Sequence, residues 1–267
     1  MTPDGPAQPA SRMPVLFVGH GSPVNAIEDN TWSRSLRALA AWLPKMSAIL
    51  AVSAHWYVPG TFVTGNAHPR TIHDFSGFAY ELFKIEYRAP GSLDLARRVV
   101  ELLGDKAGIS NDWGLDHGTW SVLVHLRPEA DCPVVQVGLD VDLAPAQHLA
   151  LGRTLAPLRD EKVLILASGN LTHNLRYAMT HALNDDLSTP EWAARVDAEV
   201  TRAIEQHDTD ALVRVLDTDD GRMAHPTPEH YLPLLYAAGA ASSGDIVRFP
   251  VTGFDMGSLS MRSVMFG

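Results

Sequence analysis

The feature that most constrains this chain is a set of short apolar runs that are near-continuous rather than alternating. They are Val15–Gly19, Ile49–Ala54, Val134–Gly138 and Val163–Ala167, with Phe62–Thr64 and Ile246–Phe249 as shorter members. An alternating strand leaves one face to water. A continuous run needs cover on both faces, as in a largely parallel sheet. Helical spacing fills the intervals. DNTWSRSLRALAAWLP offers Asp29 or Asn30 as N-cap, apolar residues at Trp32, Leu36, Leu39 and Trp42, and a stop at Pro44. SLDLARRVVELLG opens on Ser92 and ends at Gly104; APAQHLALGRTLAPL, TPEWAARVDAEVTRAIEQ and TPEHYLPLLYAAGAA repeat the pattern. The alternation predicts an α/β fold: a three-layer sandwich with a central, largely parallel sheet flanked by helices.

No internal repeat or low-complexity linker divides the 267 residues, so 14–267 are expected to form a single domain. Residues 1–13, proline-rich and polar, read as a flexible N-terminal tail without the apolar core of a signal peptide, which favours a cytoplasmic location. Net charge is −10, and no basic stretch with interleaved aromatics suggests nucleic acid. No run of about eighteen apolar residues suggests a membrane span. Cys132 is the sole cysteine, which excludes an internal disulfide and any multi-cysteine metal site.

Two long strands end in histidine: PVLFVGHGSP at His20 and AILAVSAHWY at His55. In open α/β sheets ligands sit outside the carboxyl ends of strands. His173, in SGNLTHNL, follows a third strand; His117, in GLDHGTW, precedes a helix; AHPTPEH holds His225 and His230. Imidazoles delivered from separate strand ends can converge on one metal, and small neighbours such as Gly21 leave space there. The remaining histidines carry blander readings. His148 and His207 read as solvated surface groups, His181 as a helix-end contact, His125 as a structural or supporting group, and His68 and His73 as flanks of an aromatic loop. That loop, Asn66–Pro90, has no steady period and reads as a lid or pocket wall; Leu183–Trp192 is a second such loop. No GxSxG elbow, P-loop or GxGxxG spacing is present.

Taken in order, GHGSP, SAHW, LDHGTW, SGNLTHNL, HPTPEHYLPLL and the closing GFDMGSLSMRSVMFG resemble the class III extradiol ring-cleavage dioxygenases, within them the DOPA 4,5-dioxygenase-like branch. The resemblance runs from Val15 to Gly267. It implies a non-haem iron(II) enzyme that opens the ring of a catechol-type substrate with O2. His20, His55 and His230 match the metal ligands, with Glu229 the alternative to His230, since successive helical residues point about 100° apart. His173 matches the acid/base and is a possible fourth ligand; His117 matches a histidine facing substrate and oxygen. Zn(II), which such ligands hold more tightly than Fe(II), is expected to compete for the site in purified protein.

Two other readings use the same histidines. One is a zinc-dependent hydrolase with a metal-bound water; the other is a non-catalytic metal-binding scaffold, against which the presence of His173 and His117 argues. Arg70, His73, Tyr80 and Arg262 are candidates for contact with a substrate carboxylate or ring, without a residue pattern that selects among them. The substrate-binding residues and the oligomeric state are therefore unassigned by sequence.

Overall fold

The structure, a computed structural model, describes residues 12–105 and 107–267. In chain order the elements begin β1 (Val15–Gly19), α1 (Thr31–Ala40), β2 (Ala48–Val58), β3 (Thr61–Thr64), α2 (Leu93–Leu103), β4 (Ala107–Ser110), α3 (His117–Leu126) and β5 (Val134–Asp140). They continue with α4 (Pro145–Leu155), β6 (Val163–Gly169), α5 (Leu175–Ala182), α6 (Glu191–Glu205), α7 (Thr209–Arg214), α8 (Asp219–Ala224) and α9 (Leu232–Ala240). The chain then adds β7 (Val247–Val251), β8 (Phe254–Asp255), β9 (Leu259–Ser260) and β10 (Ser263–Phe266).

Eight strands form one sheet in the order β4-β3-β5-β2-β6-β1-β10-β7, while β8 and β9 pair separately. The centre, β5-β2-β6-β1, is parallel; β10 and β7 add antiparallel pairs at one side. On the other side β3 meets β5 antiparallel and β4 parallel. The continuous runs are explained by the cover they receive. Val15, Phe17, Leu50, Val52, Ile165 and Ala167 face one core with residues of α2, α4, α6 and α9. Leu16, Val18, Ile49, Ala51, Leu164 and Leu166 face a second core with α1 and α3. The three-layer arrangement is thus observed, with strands that the apolar runs did not announce.

Helix starts follow local chemistry. The Asn30 side chain accepts from Ser33 N–H, and Ser33 Oγ accepts from the Asn30 backbone N–H, closing a capping box on α1. Ser92 caps α2, and Gly104 ends it at φ 78°, a conformation that glycine adopts without cost. Of the expected tail 1–13, residues 1–11 lie outside the described residues. Arg12 bonds the carbonyl of Ala156 and pairs with Asp160, and Met13 is buried, so the packed body begins before Pro14.

The parallel strands bring their carboxyl ends to one edge. His20 follows β1 directly, and its amide bonds Gly169 O at the end of β6. The register of β2 against β5 slips between Val52 and Tyr57, and His55 sits in that slipped stretch. Such irregularities re-aim side chains beside sites.

Candidate metal centre

The ring orientations are set from behind. Ser168 Oγ donates to Gly118 O, so it accepts from His20 Nδ1–H at 3.0 Å and leaves His20 Nε2 with a bare lone pair. Asp74 does the same for two rings at once. Its Oδ2 accepts from His55 Nδ1 at 3.0 Å and His117 Nδ1 at 2.9 Å, and its Oδ1 accepts the His117 amide at 2.9 Å. His117 is the first residue of α3, capped by the buried Asp116, which also accepts Ser53 Oγ–H beneath His55. His230 lies in the turn before α9, where its Nδ1 meets Glu229 Oε1 at 3.2 Å and its carbonyl accepts the Asn170 amide. His173 lies flat on His230, ring centroids 3.4 Å apart and planes within 5°.

The free nitrogens converge. His20 Nε2 and His55 Nε2 are 3.1 Å apart, and donor atoms of His20, His55 and His117 all lie within 4.8 Å of one another. The His230 ring stands 5.4 Å from His20 and 5.0 Å from His55, centroid to centroid. These rings, His173 and Asp74 line one cavity of about 470 Å³, walled by Phe75, Phe78, Leu175, Met179, Met256 and Leu259.

Burial sets the charge. Desolvation, then the neighbouring imidazoles, push His20 and His230 well below the ordinary histidine value. His173 is pushed down to about 3 by burial first, then by His225, His55 and His117. Burial and His55 also lower His117, against the opposing pull of Asp74. For Asp74, burial favours the neutral acid, but the bonds and charges of His117 and His55 outweigh it and hold the carboxyl below the usual range. At neutral pH the buried rings of His20, His117, His173 and His230 are thus held uncharged beside one carboxylate.

The catalytic LigB subunit of aromatic ring-opening dioxygenase is the family whose pattern matches residues 14–261. The chain belongs to this family. It is 47% identical over 270 residues to the 4,5-DOPA dioxygenase extradiol of Escherichia coli K12, covering 97% of this chain and 96% of that one. The Beta vulgaris protein of the same name is 35% identical, with 94% and 95% covered. A crystal structure of an uncharacterized E. coli K12 protein superposes with a TM-score of 0.81 at 41% identity, covering 96% of this chain and all of that one. The chain is therefore an extradiol ring-cleavage dioxygenase, an oxidoreductase, and the LigB fold is the α/β sandwich described above.

A metal ion fits the residues present. His20 and His55 turn two lone pairs toward each other across 3.1 Å, an arrangement that is repulsive unless a cation accepts both. Two nitrogens each about 2.1 Å from one ion sit roughly 3 Å apart at right angles. The Nδ1 atoms, held by oxygen acceptors, fix the tautomer that such ligation needs.

The histidines expected together, His20, His55, His117, His173 and His230, all line the cavity. Glu229 does not line it; its carboxylate accepts from Thr227 Oγ1 and His230 Nδ1. His225 is buried elsewhere, bonded to Leu171 O. The other sequence candidates are also outside the cavity. Arg262 is paired with Asp197, and Arg70 and His73 line a separate cleft behind the loop. Tyr80 is exposed beneath Lys84 Nζ. His148, expected at the surface, is fully buried on the α4–α9 contact and bonded to Tyr236 Oη, because an apolar stripe on α4 carries it inward. His207 ends α6 in a half-buried turn at φ 51°. Gly21 has a further reason beyond open space: at φ 60°, a Cβ there would strike the Met261 side chain. The principal residue that sequence reasoning passed over is Asp74. Its signal in the sequence is an acid inside the aromatic loop, next to His73.

Proposed function

We propose that the chain is a non-haem iron(II)-dependent extradiol dioxygenase that opens the ring of a catechol substrate with O2. One observation carries the reading: bare imidazole nitrogens converge at the floor of a cavity whose walls are aromatic and aliphatic. His20, His55 and His230 would hold the metal. Iron(II), when bound, would supply open positions for the diol and O2 and a path by which electron density passes from the ring to oxygen. Asp74 holds His55 and His117 in fixed tautomers. His173, neutral and lining the cavity, would accept the proton of a catechol hydroxyl and return it later as an acid. His117, its Nδ1–H held by Asp74, presents a bare Nε2 that can accept a hydrogen bond from a diol hydroxyl. Phe75 and Phe78 give the cavity an aromatic wall. The DOPA named for the relatives in E. coli and Beta vulgaris makes a catechol the first substrate to try. We read residues 14–267 as one catalytic domain; the buried free thiol of Cys132 suits a reducing cytoplasm.

The test is anaerobic reconstitution of metal-free protein with Fe(II) or Zn(II), then addition of catechol and air. Oxygen uptake with a yellow ring-opened product under Fe(II) alone, lost in His20→Ala and His55→Ala together with bound metal, is expected. Full iron occupancy without oxygen uptake from any catechol would sink the reading. In the same series His230→Ala should lose metal and His117→Ala retain it. Equal loss in both would move His117 into the ligand set, the reading that its nearness to His20 and His55 favours.

A further inference from the structure

A backbone outlier sits in the cavity wall. Among the described residues, five other than glycine have a positive φ: Ala130, Lys162, Asp185, His207 and Met256. Met256, at 45°, is the one of the five that lines the cavity of the histidines. In that region the Cβ of an L-residue crowds the following carbonyl, so glycine, asparagine and aspartate are the usual occupants. Methionine has no short polar group with which to offset that crowding. An outlier of this kind persists only where its surroundings over-determine it, and such residues cluster at ligand sites.

The surroundings here are tightly tied. Met256 and Gly257, the latter at φ 74°, begin the loop between β8 and β9, which pair Phe254 with Ser260 and Asp255 with Leu259. Asp255 Oδ1 accepts the Met256 amide at 3.0 Å, which fixes the entry to the loop. A Cβ on Gly257 would stand 2.6 Å from Ser188 O, so the tip packs against the 183–192 loop. The other side of the hairpin is fastened to the segment that leads to His173. Thr172 Oγ1 donates to Ser258 O at 2.7 Å, the Ser260 amide donates to Thr172 O, and Asn170 Nδ2 donates to Ser260 O at 2.8 Å. The bond to Asp255 uses only the backbone of Met256, so glycine or asparagine would close the same loop with less strain. What methionine adds is its side chain in the cavity, where an unbranched thioether packs favourably on an aromatic ligand.

Resting on the dioxygenase reading, we propose that Met256 is a substrate-binding residue, held in a strained backbone conformation so that its thioether packs on the catechol ring. The test compares the Zn(II)-loaded full-length protein with its Met256→Gly and Met256→Ala variants. Each is melted, and each is titrated calorimetrically with DOPA, the catechol named for the relatives. The two variants both remove the thioether and differ by a single Cβ. Both should bind DOPA about fivefold or more weaker than the unaltered protein, through lost apolar burial and lost sulfur–ring contact. Met256→Gly should melt about 2 °C or more above Met256→Ala, the reverse of their order at a residue of negative φ. Met256→Ala melting at or above Met256→Gly would overturn the inference. Undiminished affinity in both variants would overturn it too, as would no binding by the unaltered protein. Oxygen uptake by the Fe(II) form separates the two claims. Weakened binding in both variants without any oxygen uptake by the unaltered protein would sink the dioxygenase reading and leave Met256 on the ring. Oxygen uptake with undiminished binding in both variants would do the opposite.

Discussion

At the scale of single residues, Asp74 carries more of the site than its one carboxylate suggests. Three N–H donors from two histidines end on its two oxygens. An asparagine there has one acceptor oxygen and no charge, so its NH2 would face either the His117 amide N–H or both imidazole N–H groups. Asp74→Asn should therefore release His55 or His117, weakening metal binding about 10- to 100-fold with the fold intact; metal titration beside a thermal melt checks this. His173 makes the opposite demand. It lines the cavity as an uncharged ring stacked on His230. His173→Ala should lower kcat about 10²- to 10⁴-fold while bound metal stays unchanged, measured by oxygen uptake and metal analysis on one sample. Retained turnover in that variant would remove His173 from the proton path.

At the scale of elements, the site depends on how closely the strand ends approach their neighbours. A Cβ on Gly169, the last residue of β6, would stand 2.1 Å from the carbonyl oxygen of His230. Neither atom belongs to a flexible side chain, so Gly169→Ala must displace the His230 turn. A loss of about 1–3 kcal/mol in stability and of bound metal is expected in denaturant titration. Gly108→Ala on β4 is the control: its nearest neighbours would be Phe62 ring atoms at 3.7 Å, and its cost should stay within about 0.5 kcal/mol. This scale also explains what was legible in sequence. The runs at Val15, Ile49, Val134 and Val163 announced β1, β2, β5 and β6 because both faces are covered by helices. Those strands delivered His20 and His55, and the segment after β6 delivered His173. The strand β4 is short, lies at the sheet edge and is half-exposed, so no apolar run marks it. The strand β10 carries Ser263 and Met265 among its buried residues and lies in a segment noticed for its motif, not its period. Contacts made through loops left no periodic trace at all. Asp74 reaches His55 and His117 only because the 66–90 excursion folds back over the strand ends.

At the scale of the whole molecule, acid should act on the metal-free protein in two stages, each tied to named groups. The first involves imidazoles. Burial lowers His20, His173, His225 and His230 relative to the ordinary value near 6.5. The unfolded chain takes up protons that the folded one refuses, so stability present above about pH 6.5 is lost as pH falls toward the folded values, about 4 for His225 and about 3 for His173. The second stage involves Asp245, far from the cavity. The Arg159 side chain is fully buried, bonds Met13 O and Ala240 O, and meets both Asp245 oxygens, at 2.7 and 2.9 Å. Burial favours the neutral acid at Asp245, but Arg159 and the Ser242 amide hold it below the ordinary carboxyl value. That contribution is full above about pH 4 and disappears as pH falls through the depressed folded value. Asp245→Asn leaves the guanidinium buried without its counter-charge. It should cost about 3–5 kcal/mol at pH 7 and make the stability profile below about pH 4 less steep, the slope that remains there belonging to His173 and Asp74. Urea titrations at half-unit pH steps on both proteins read the two stages separately. An Asp245→Asn profile as steep as the unaltered one below pH 4 would show that acid acts there through other carboxylates.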